Sequence, residues 1–363
     1  MEFRPPKRLT LQAQVTSSLR RQIESGAWDR EVPSERWLSD HLQVSRPTVR
    51  AALASLRQEG LIRTAERSRS QVVRRKRSNA KQPPATINLL TVERLEGLYG
   101  IEHLIIAELR RRLHSAGLSI EVLGDRRLRQ AKPGAVLDRL TAQFPAGGWI
   151  LAHQTRPVQK WFAEKGVPAV IWGTAHTGVQ LASFDIHNQA ACRHCVGLFS
   201  RMGHRDIALI VRQSGSAGDL ASEAGWEEGV EALRSTSRQA LILRHNGTVP
   251  DMCKALDRAF NGLHPPTALL ASGSHEALTV ISYLAQRRLR MPEDVSLVSL
   301  ISDTILDAVV PTVARYHTDF ADYAARLSRG ILQLAQTGHV RPRPHLMIPT
   351  FQDGGTLAAP ATR

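Results

Sequence analysis

The segment that most constrains the fold runs from Pro33 to Arg63 and reads PSERWLSDHLQVSRPTVRAALASLRQEGLIR. Ser34 and Ser45 occupy N-cap positions ahead of two short amphipathic runs, which predicts two helices joined by a tight turn. Pro47 falls in the first turn of the second helix, where a missing N–H costs nothing. Gly60 is expected to end that helix. The pattern is typical of a helix-turn-helix.

Apolar side chains recur at helical spacing in both helices and in a segment before them, which predicts a shared core. A pair of short apolar runs after them predicts a two-stranded wing, so the unit is expected to be a winged helix-turn-helix. The apolar positions are Trp37, Leu38 and Leu42 in the first helix, Val49, Leu53 and Leu56 in the second, Leu11, Val15, Leu19 and Ile23 in a preceding helix that ends near Gly26, and Leu61, Ile62, Val72 and Val73 in the wing.

The amino-terminal turn of the second helix carries two cations and a hydroxyl on its solvent side, namely Arg46, Thr48 and Arg50. A recognition helix meets base edges and phosphates with this end, so the pattern indicates DNA binding. A helical hairpin with arginines on a solvated face has the same spacing. On spacing alone, that second interpretation stays open.

The run PSER followed by VSRPTVRAALASLRQEGLI resembles the DNA-binding domain of the GntR family, over residues 9 to 75. This resemblance implies that DNA is contacted by the residues that match the family's contact positions. Those residues are Arg36, Ser45, Arg46, Thr48 and Arg50.

Two features depart from the GntR pattern. The loop between Gly26 and Pro33 is shorter than usual, and the wing carries Ser68-Arg69-Ser70 in place of a Gly-x-Gly. Without glycine, the positive φ of a wing tip is harder to reach, which puts a minor-groove contact of the wing in doubt. Arg67 and Arg69 remain candidates for contacts with phosphates.

Positive charge is concentrated at the amino-terminal end. Residues 1–82 hold 18 of the 48 lysines and arginines and 8 of the 33 acids, and so carry ten of the fifteen net positive charges. This asymmetry favours double-stranded DNA as the partner, with an affinity that falls steeply with salt. No apolar run approaches the ~20 residues of a membrane span, and MEFRPPKR lacks the apolar core of a signal peptide. We expect a cytoplasmic protein without a membrane partner.

Three cysteines, Cys192, Cys195 and Cys253, are too few for a disulfide framework and agree with a reducing compartment. Cys192 and Cys195 form a C-x-x-C near several histidines, which makes a zinc site one interpretation. The pair falls in a predicted helix and has no second ligand pair at usable spacing, which favours packing. We expect no metal and no cofactor.

The basic and polar stretch RRKRSNAKQPPAT predicts a tether between two domains. The expected organisation is a winged helix domain at residues 1–75, a linker at 76–86, a larger domain at 87–350 and a carboxyl-terminal tail at 351–363.

Beyond the linker, short β-rich runs alternate with helical periods, as in parallel α/β folds. The predicted strands are Ile87–Val92, Ser119–Leu123, Gly148–Ala152, Ala169–Trp172, Ile207–Val211, Ala240–Leu243, Ala268–Ala271 and Val295–Leu300, and the clearest helices are Ile101–Ala116, Ala190–Met202, Trp226–Arg234, His275–Gln286 and Phe320–Ala335.

The larger domain contains several short motifs in a fixed order, namely GGWIL at 147–151, GVP at 166–168, GHRDIA at 203–208, GW at 225–226 and MPEDVS at 291–296. In this order they resemble the effector domain of the LacI family, which is related to periplasmic sugar-binding proteins. With the winged domain, the whole chain looks like the chimeric repressors of the AraR type. The resemblance implies two α/β lobes with three crossovers, a ligand in the cleft between them and homodimerisation through this domain.

Sugar-responsive members of the LacI family carry an arginine where this chain has Ser222, an aspartate where it has Ile301 and another acid where it has Ser274. A sugar or sugar derivative is one candidate effector, but the charged anchors for its hydroxyls are absent. A more apolar effector and a pocket without a ligand are the alternatives. Loops after the strands supply the candidate contacts, which are Tyr99, Trp172, Asp185, Ser222, Ser274 and His275.

These features predict a sequence-specific DNA-binding transcription regulator, a repressor, that forms a homodimer and responds to a small-molecule effector. One alternative is a constitutive DNA-binding dimer without an effector. Another is an enzyme fused to a DNA-binding domain, which would need a Schiff-base lysine in a phosphate site. The lysines beyond the linker lie in no cofactor motif, and no P-loop or Rossmann fingerprint is present. We therefore expect that the protein is not an enzyme.

Overall fold

The computed structural model describes residues 11–24, 28, 32–59, 61–63, 71–72, 85–93, 98, 100–233 and 238–361. The chain divides into two compact units at the bond between Gln82 and Pro83. This division falls inside the predicted linker, of which residues 76–84 lie outside the described part.

The first unit is a winged helix-turn-helix, as predicted. The two wing strands are antiparallel, with Ile62 opposite Val72. Gly26, Gly60 and Val73, which the sequence placed at helix ends and in the wing, lie outside the described residues. The elements are α1 (Leu11–Glu24), α2 (Glu35–Leu42), α3 (Arg46–Gln58), β1 (Ile62–Arg63) and β2 (Gln71–Val72).

One apolar core holds the first unit together. It is built from all three helices and β1 and contains Val15, Leu19, Val32, Leu38, Val49, Ala52, Leu53, Leu56 and Ile62. A bidentate ion pair adds to it, with an Arg20 guanidinium nitrogen of α1 2.6 Å from a Glu59 carboxylate oxygen.

The prediction that Trp37 belongs to this core is wrong. Its side chain is 46% exposed, and its ring stacks on His41 with the centroids 4.1 Å apart. In the short helix α2, Leu38 and Leu42 are four residues apart and share the inward face. Trp37 precedes Leu38 by one residue, about 100° around the helix, and therefore faces solvent.

The second unit is an α/β domain of two lobes, with two short 3₁₀ helices at Arg126–Arg129 and Thr304–Ala308. Its other elements, in chain order, are β3 (Ala85–Thr91), α4 (Gly100–Ser115), β4 (Leu118–Gly124), α5 (Gly134–Gln143), β5 (Gly148–Ala152), α6 (Arg156–Lys165), β6 (Ala169–Trp172), β7 (Ala182–Ile186), α7 (Asn188–Met202), β8 (Asp206–Arg212), α8 (Ala217–Ala232), β9 (Gln239–His245), α9 (Val249–Phe260), β10 (Ala268–Ala271), α10 (Ser274–Gln286), β11 (Ser296–Ser299), β12 (Ala314–His317), α11 (Phe320–Thr337), β13 (Pro344–Met347) and β14 (Thr350–Gln352).

Each lobe is built on a six-stranded sheet. The first sheet has the strand order β4-β3-β5-β6-β7-β13, and its paired strands are parallel. The second has the order β9-β8-β10-β11-β12-β14 and is parallel except at β14, which is antiparallel to β12. The chain passes between the sheets after β7, after β12 and between β13 and β14. The predicted pair of α/β lobes with three crossovers is thereby confirmed.

The central strands explain why the sheets are parallel and enclosed. Every residue of β5, β6 and β10 is buried. Strands with continuous apolar runs need helices on both faces, and each sheet has an apolar cluster on either side. These runs are also the strands that the sequence predicted within a residue or two.

Four strands of the second unit were not predicted from the sequence. β7 contains the polar residues Ser183 and Asp185 within a run of five, and β12 alternates buried and half-buried positions. β13 and β14 are half-exposed edge strands without an apolar run. Helix α8 begins at Ala217, well before the predicted start at Trp226. Its first turns were not predicted because they consist of small and polar residues.

Residues 351–361, which the sequence assigned to a tail, are part of the second lobe. β14 pairs with β12, and Thr356 is fully buried. The Thr356 hydroxyl donates to the Leu297 carbonyl at 2.7 Å and accepts from the Ala314 N–H at 2.9 Å. The boundary at residue 350 is therefore too early, because polar side chains rather than apolar ones fasten this segment.

Close packing of α7 against α8 gives a test of the second lobe. A methyl group added at Gly225 would lie 2.1 Å from the Gln189 carbonyl oxygen, so Gly225→Ala forces the helices apart. We expect it to lower the free energy of unfolding by about 1–3 kcal/mol. In Gly197→Ala, the new methyl meets only the flexible end of Arg201 at 3.4 Å, and alanine should stabilise α7 by about 0.5–1 kcal/mol. Thermal unfolding of the two variants measures this contrast, and equal stabilities would contradict it.

Candidate functional site

The first turn of α3 is fixed by its N-cap. Ser45 has φ −64° and ψ 147°, and its Oγ accepts from the Thr48 N–H at 3.4 Å. The Ser45 and Thr48 hydroxyls lie 2.8 Å apart. Pro47 occupies the first turn, as predicted. The turn therefore holds Arg46 at the exposed start of the helix.

The turn between α2 and α3 depends on a left-handed residue that is not glycine. Gln43 has φ 54° and ψ 42°, and its N–H donates to the Ser39 carbonyl. The Ser39 hydroxyl donates to the Val44 carbonyl at 2.6 Å, which closes the turn from its other side. These bonds set the direction in which α3 leaves α2.

The structure brings the described residues of the predicted DNA-binding set to one surface. Ser45, Arg46 and Arg50 are exposed and Thr48 is half-buried, all within the first two turns of α3. Arg36 is exposed in the first turn of α2.

Arg50 connects the two helices. Its guanidinium donates to one carboxylate oxygen of Glu35 from two nitrogens, at 3.1 and 3.3 Å, while its side chain stays 67% exposed. Arg67 and Arg69 lie outside the described residues, so their phosphate contacts stay a prediction.

The second unit contains a cavity of about 290 Å³ between its lobes. In the first lobe it is bordered by residues at the carboxyl ends of β5, β6 and β7, namely His153, Trp172 and Asp185. In the second lobe, Arg212 ends β8 and Ser272 follows β10. The cavity thus lies where the strand ends of both parallel sheets meet, which is where open parallel sheets bind ligands.

Helix N-termini and apolar side chains complete the lining. Helices α4, α8 and α10 place Glu102, Asp219 and Glu276 from their first turns at the cavity. The apolar part of the lining consists of Val92, Leu98, Ile101, Ile105, Ala152, Trp172, Ile186, Ile301, Phe320 and Tyr323.

Four of the six predicted effector residues line this cavity: Trp172, Asp185, Ser274 and His275. Tyr99 lies outside the described residues. Ser222, which was also predicted to contact the effector, does not line the cavity. It is 3% exposed within α8, where its hydroxyl donates to the Gly218 carbonyl at 3.0 Å.

The three helix-terminal acids Glu102, Asp219 and Glu276 were not predicted from the sequence. A signal for them exists, because a carboxylate in the first turn of a helix that follows a strand complements the helix dipole and lies at the carboxyl end of the sheet. The start of α8 was not predicted, which hid Asp219. Phe320 and Tyr323 were assigned only to a helix, since their side of α11 cannot be read from spacing.

Burial shapes the electrostatics of two cavity acids. Burial raises the pKa of Asp185, against the opposing hydrogen bonds from the Thr174 hydroxyl and from the Ile186 N–H at 2.7 Å. Burial likewise raises the pKa of Asp219, whose carboxylate accepts from the Ser214 hydroxyl. Both carboxylates are therefore held by neutral donors in a poorly solvated place.

Glu276 differs because it faces a buried imidazole. Burial opposes its ionisation, but hydrogen bonds from the His245 ring and the Glu276 backbone lower the pKa overall. His245 Nδ1 accepts from the Gly247 N–H at 3.1 Å, and its Nε2 lies 3.3 Å from Glu276 Oε1. Glu276 is thus an anion at neutral pH.

Among the described residues, no three His, Cys, Asp or Glu side chains are grouped to hold a metal ion. Cys192 and Cys195 are fully buried in the core between α7 and the second sheet, and burial raises the pKa of Cys192 to about 12. Both thiols pack as small apolar groups. Among the helices of the described residues, none combines the length and apolar character of a membrane span.

Comparison with known proteins gives two family matches. Residues 11–72 match the model of the bacterial regulatory proteins of the gntR family, and residues 196–357 match that of the periplasmic binding protein-like domain. A search of curated proteins gives no match to this sequence.

Solved structures share the fold at low identity. A LacI family transcriptional regulator from Bifidobacterium animalis subsp. lactis is 16% identical with a TM-score of 0.64, covering 76% of this chain and 98% of its own. A dimeric Lac repressor with a carboxyl-terminal deletion is 19% identical with a TM-score of 0.63, covering 76% and 100%. The complex of the transcriptional regulator CelR with cellobiose is 17% identical with a TM-score of 0.65, covering 90% and 100%.

The fold and the two family matches define a bacterial regulatory protein of two domains. More particularly, the chain joins a winged helix-turn-helix that matches the gntR family to a domain that matches the periplasmic binding protein-like family and shares its fold with LacI family regulators. It is a DNA-binding transcription regulator.

The left-handed turn before α3 gives a test of how this surface is built. Left-handed backbone costs a residue with a side chain about 1–2 kcal/mol, so Gln43→Gly should stabilise α2 and α3 by about 1 kcal/mol. Gln58→Gly, in the last turn of α3, should instead destabilise the helix by about 1 kcal/mol. Hydrogen exchange of the amides of α2 and α3 in the full chain measures both effects. Faster exchange in Gln43→Gly would contradict the assigned turn.

Proposed function

We propose that the protein represses transcription by reading an operator in duplex DNA with α3, under the control of a small molecule bound in the cleft of its second unit. The observation that carries the first half of this proposal is the surface at the start of α3, where Ser45, Arg46 and Arg50 are exposed beside the half-buried Thr48. We also propose that the protein acts in the cytoplasm, where bacterial DNA lies.

The chemistry of the α3 surface suits the major groove. Arginine donates two parallel hydrogen bonds to the O6 and N7 atoms of guanine, and threonine and serine bond to base edges or phosphates. We assign Arg46 and Arg50 to the bases and Arg36 and Ser45 to the phosphate backbone. The concentration of positive charge in residues 1–82 supports binding to a polyanion.

Arg50 must leave its ion pair with Glu35 when it contacts a base. An exposed ion pair of this kind contributes only about 0–1 kcal/mol, so the guanidinium can exchange Glu35 for a guanine edge at low cost. Glu35 also keeps Arg50 on the side of α3 that faces α2 before DNA arrives.

Removal of the α3 arginines tests the assigned surface. Arg46→Ala and Arg50→Ala should each weaken binding to an operator selected from a random DNA pool by about 1–3 kcal/mol and leave dimerisation intact. Lys160→Ala removes an exposed cation of α6, in the other unit, and should leave operator affinity unchanged. Fluorescence anisotropy with labelled duplex at fixed salt measures all three. Wild-type affinity in both arginine variants would refute the assignment of this surface.

The second half of the proposal assigns the cavity of the second unit to an effector. It is small, mostly apolar and furnished with a few polar groups, as ligand sites are. The CelR structure with this fold is a complex with cellobiose, and the Lac repressor structure is dimeric. We propose that this chain is also a homodimer, paired through its second unit.

Dimerisation relates effector binding to DNA binding. Two α3 helices must meet major grooves about one turn, ~10 base pairs, apart or a multiple of it. A ligand that favours one arrangement of the lobes shifts the population of dimers with the correct spacing. Such coupling amounts to about 1–3 kcal/mol, or a several-fold to hundredfold change in affinity.

Selection of DNA from a random pool, followed by titration of the selected duplex with a panel of metabolites, tests this second half. We expect a palindromic site whose affinity for the protein changes several-fold or more with one compound. An affinity that stays constant with every compound would contradict effector control and favour the alternative, a constitutive DNA-binding dimer.

A further inference from the structure

The cavity of the second unit is rich in carboxylates. Among its described lining residues, five are acids and two are arginines. Glu93 is matched by both Arg126 and Arg129, whose nitrogens lie 2.9 and 3.2 Å from its carboxylate. The other acids are Glu102, Asp185, Asp219 and Glu276.

The second arginine, Arg212, ends β8 at the border of the cavity. Its guanidinium packs on Gly247 in the loop after β9, where an added methyl group would lie 2.6 Å from Nε. Glu102 faces His153, with its carboxylate 3.5 Å from Nε2, and Glu276 faces His245. Arginine therefore neutralises one end of the cavity, at Glu93, and imidazoles face two of the remaining acids.

Asp185 and Asp219 come from different lobes and approach each other at the start of α8. A methyl group added at Gly218, next to Asp219, would lie 3.9 Å from Asp185 Oδ2 and 3.9 Å from Thr174 Oγ1. The direct partners of the two carboxylates are the hydroxyls of Thr174 and Ser214 and backbone N–H groups. Neutral donors orient a carboxylate but supply no full positive charge to balance it.

Burial raises the pKa of both acids, and the electrostatic influence of nearby His153 opposes this shift. A protonated amine between the two carboxyl groups would favour their charged forms directly. Close by, Trp172 is 3% exposed and borders the same cavity with Phe320 and Tyr323. Aromatic faces attract cations and pack on carbon skeletons.

Position by position, the departures from the sugar-responsive pattern agree with this chemistry. Ile301 and Ser274, which replace acids of that pattern, both line the cavity. Ser222, which replaces the arginine, is packed inside α8. The cavity therefore lacks the arginine and two of the acids of that pattern, and its own acids lie at other positions.

We propose that the cleft takes a small organic cation, a metabolite whose protonated amino group lies between Asp185 and Asp219 and whose carbon skeleton packs on Trp172. This inference rests on the proposed effector function and names the ligand class. The cavity volume of about 290 Å³ favours a molecule with a single ring or a short chain over an oligomer.

Two triads of compounds with matched skeletons test the proposal on the full chain by calorimetry. The first is benzylamine, benzyl alcohol and benzoate, and the second is glucosamine, glucose and glucuronate. In at least one triad, we expect the amine to bind about tenfold or more tightly than its neutral and anionic counterparts, since hydrogen bonds between charged groups are stronger than those between neutral ones. In Asp185→Asn and Asp219→Asn this preference should fall to near unity. Asp138→Asn, an exposed acid of α5, is the matched control and should keep it.

Asparagine still accepts the hydroxyl hydrogen bonds, and thermal unfolding of each variant checks that it folds. Tighter binding of a neutral or anionic member in both triads, no binding by either amine, or an amine preference that survives in both asparagine variants would overturn the proposal. If a neutral or anionic compound binds and changes the affinity for DNA, the effector function stands and only the ligand class is wrong. If no compound of any charge changes that affinity, the effector function itself fails.

Discussion

Three passages of the chain between the two lobes fix the geometry on which the second unit depends. Because the strands of both sheets are parallel except at the edge strand β14, their carboxyl ends and the N-termini of α4, α8 and α10 open on one space. A β-bridge between Thr155 and Ser216 also joins the lobes at the rim of this space. A rotation of one lobe against the other therefore changes the distance between Asp185 and the first turn of α8, and so changes the site itself.

The same constraint explains why buried charge is tolerated there. Glu102, Asp219 and Glu276 each lie in the first turn of a helix, where the backbone N–H groups and the helix dipole favour an anion. Asp185 ends a strand instead, and it relies on the Thr174 hydroxyl and the Ile186 N–H. The site therefore combines carboxyl groups held by helix N-termini and neutral donors with apolar walls.

The sequence predicted the parts of the fold that local chemistry dictates. The caps at Ser34 and Ser45 and the buried runs of β5, β6 and β10 are confirmed, because capping hydroxyls and continuous apolar runs act over a few residues. The edge strands β13 and β14 were missed, because their partners are distant in sequence and their own residues are half-exposed. Trp37 was misplaced because an eight-residue helix leaves the phase of its apolar face ambiguous.

The candidate sites divide in the same way. The α3 surface follows from one continuous segment, so its described residues were found together from spacing and resemblance. The cleft is assembled from at least eight separate segments, and helix phase decides which side chains face it. Ser222 and Asp219 are three residues apart in α8, yet only Asp219 borders the cavity.

The central claim is that α3 reads the major groove as one of a symmetric pair. Methylation of guanine N7, an atom of the major groove, tests it on the selected operator with the full chain bound. The account predicts two protected clusters of guanines about one helical turn or a multiple of it apart, with protection lost at the same guanines when Arg46 is replaced by alanine. Full methylation of every guanine under saturating protein, or protection that is identical in Arg46→Ala, would contradict it.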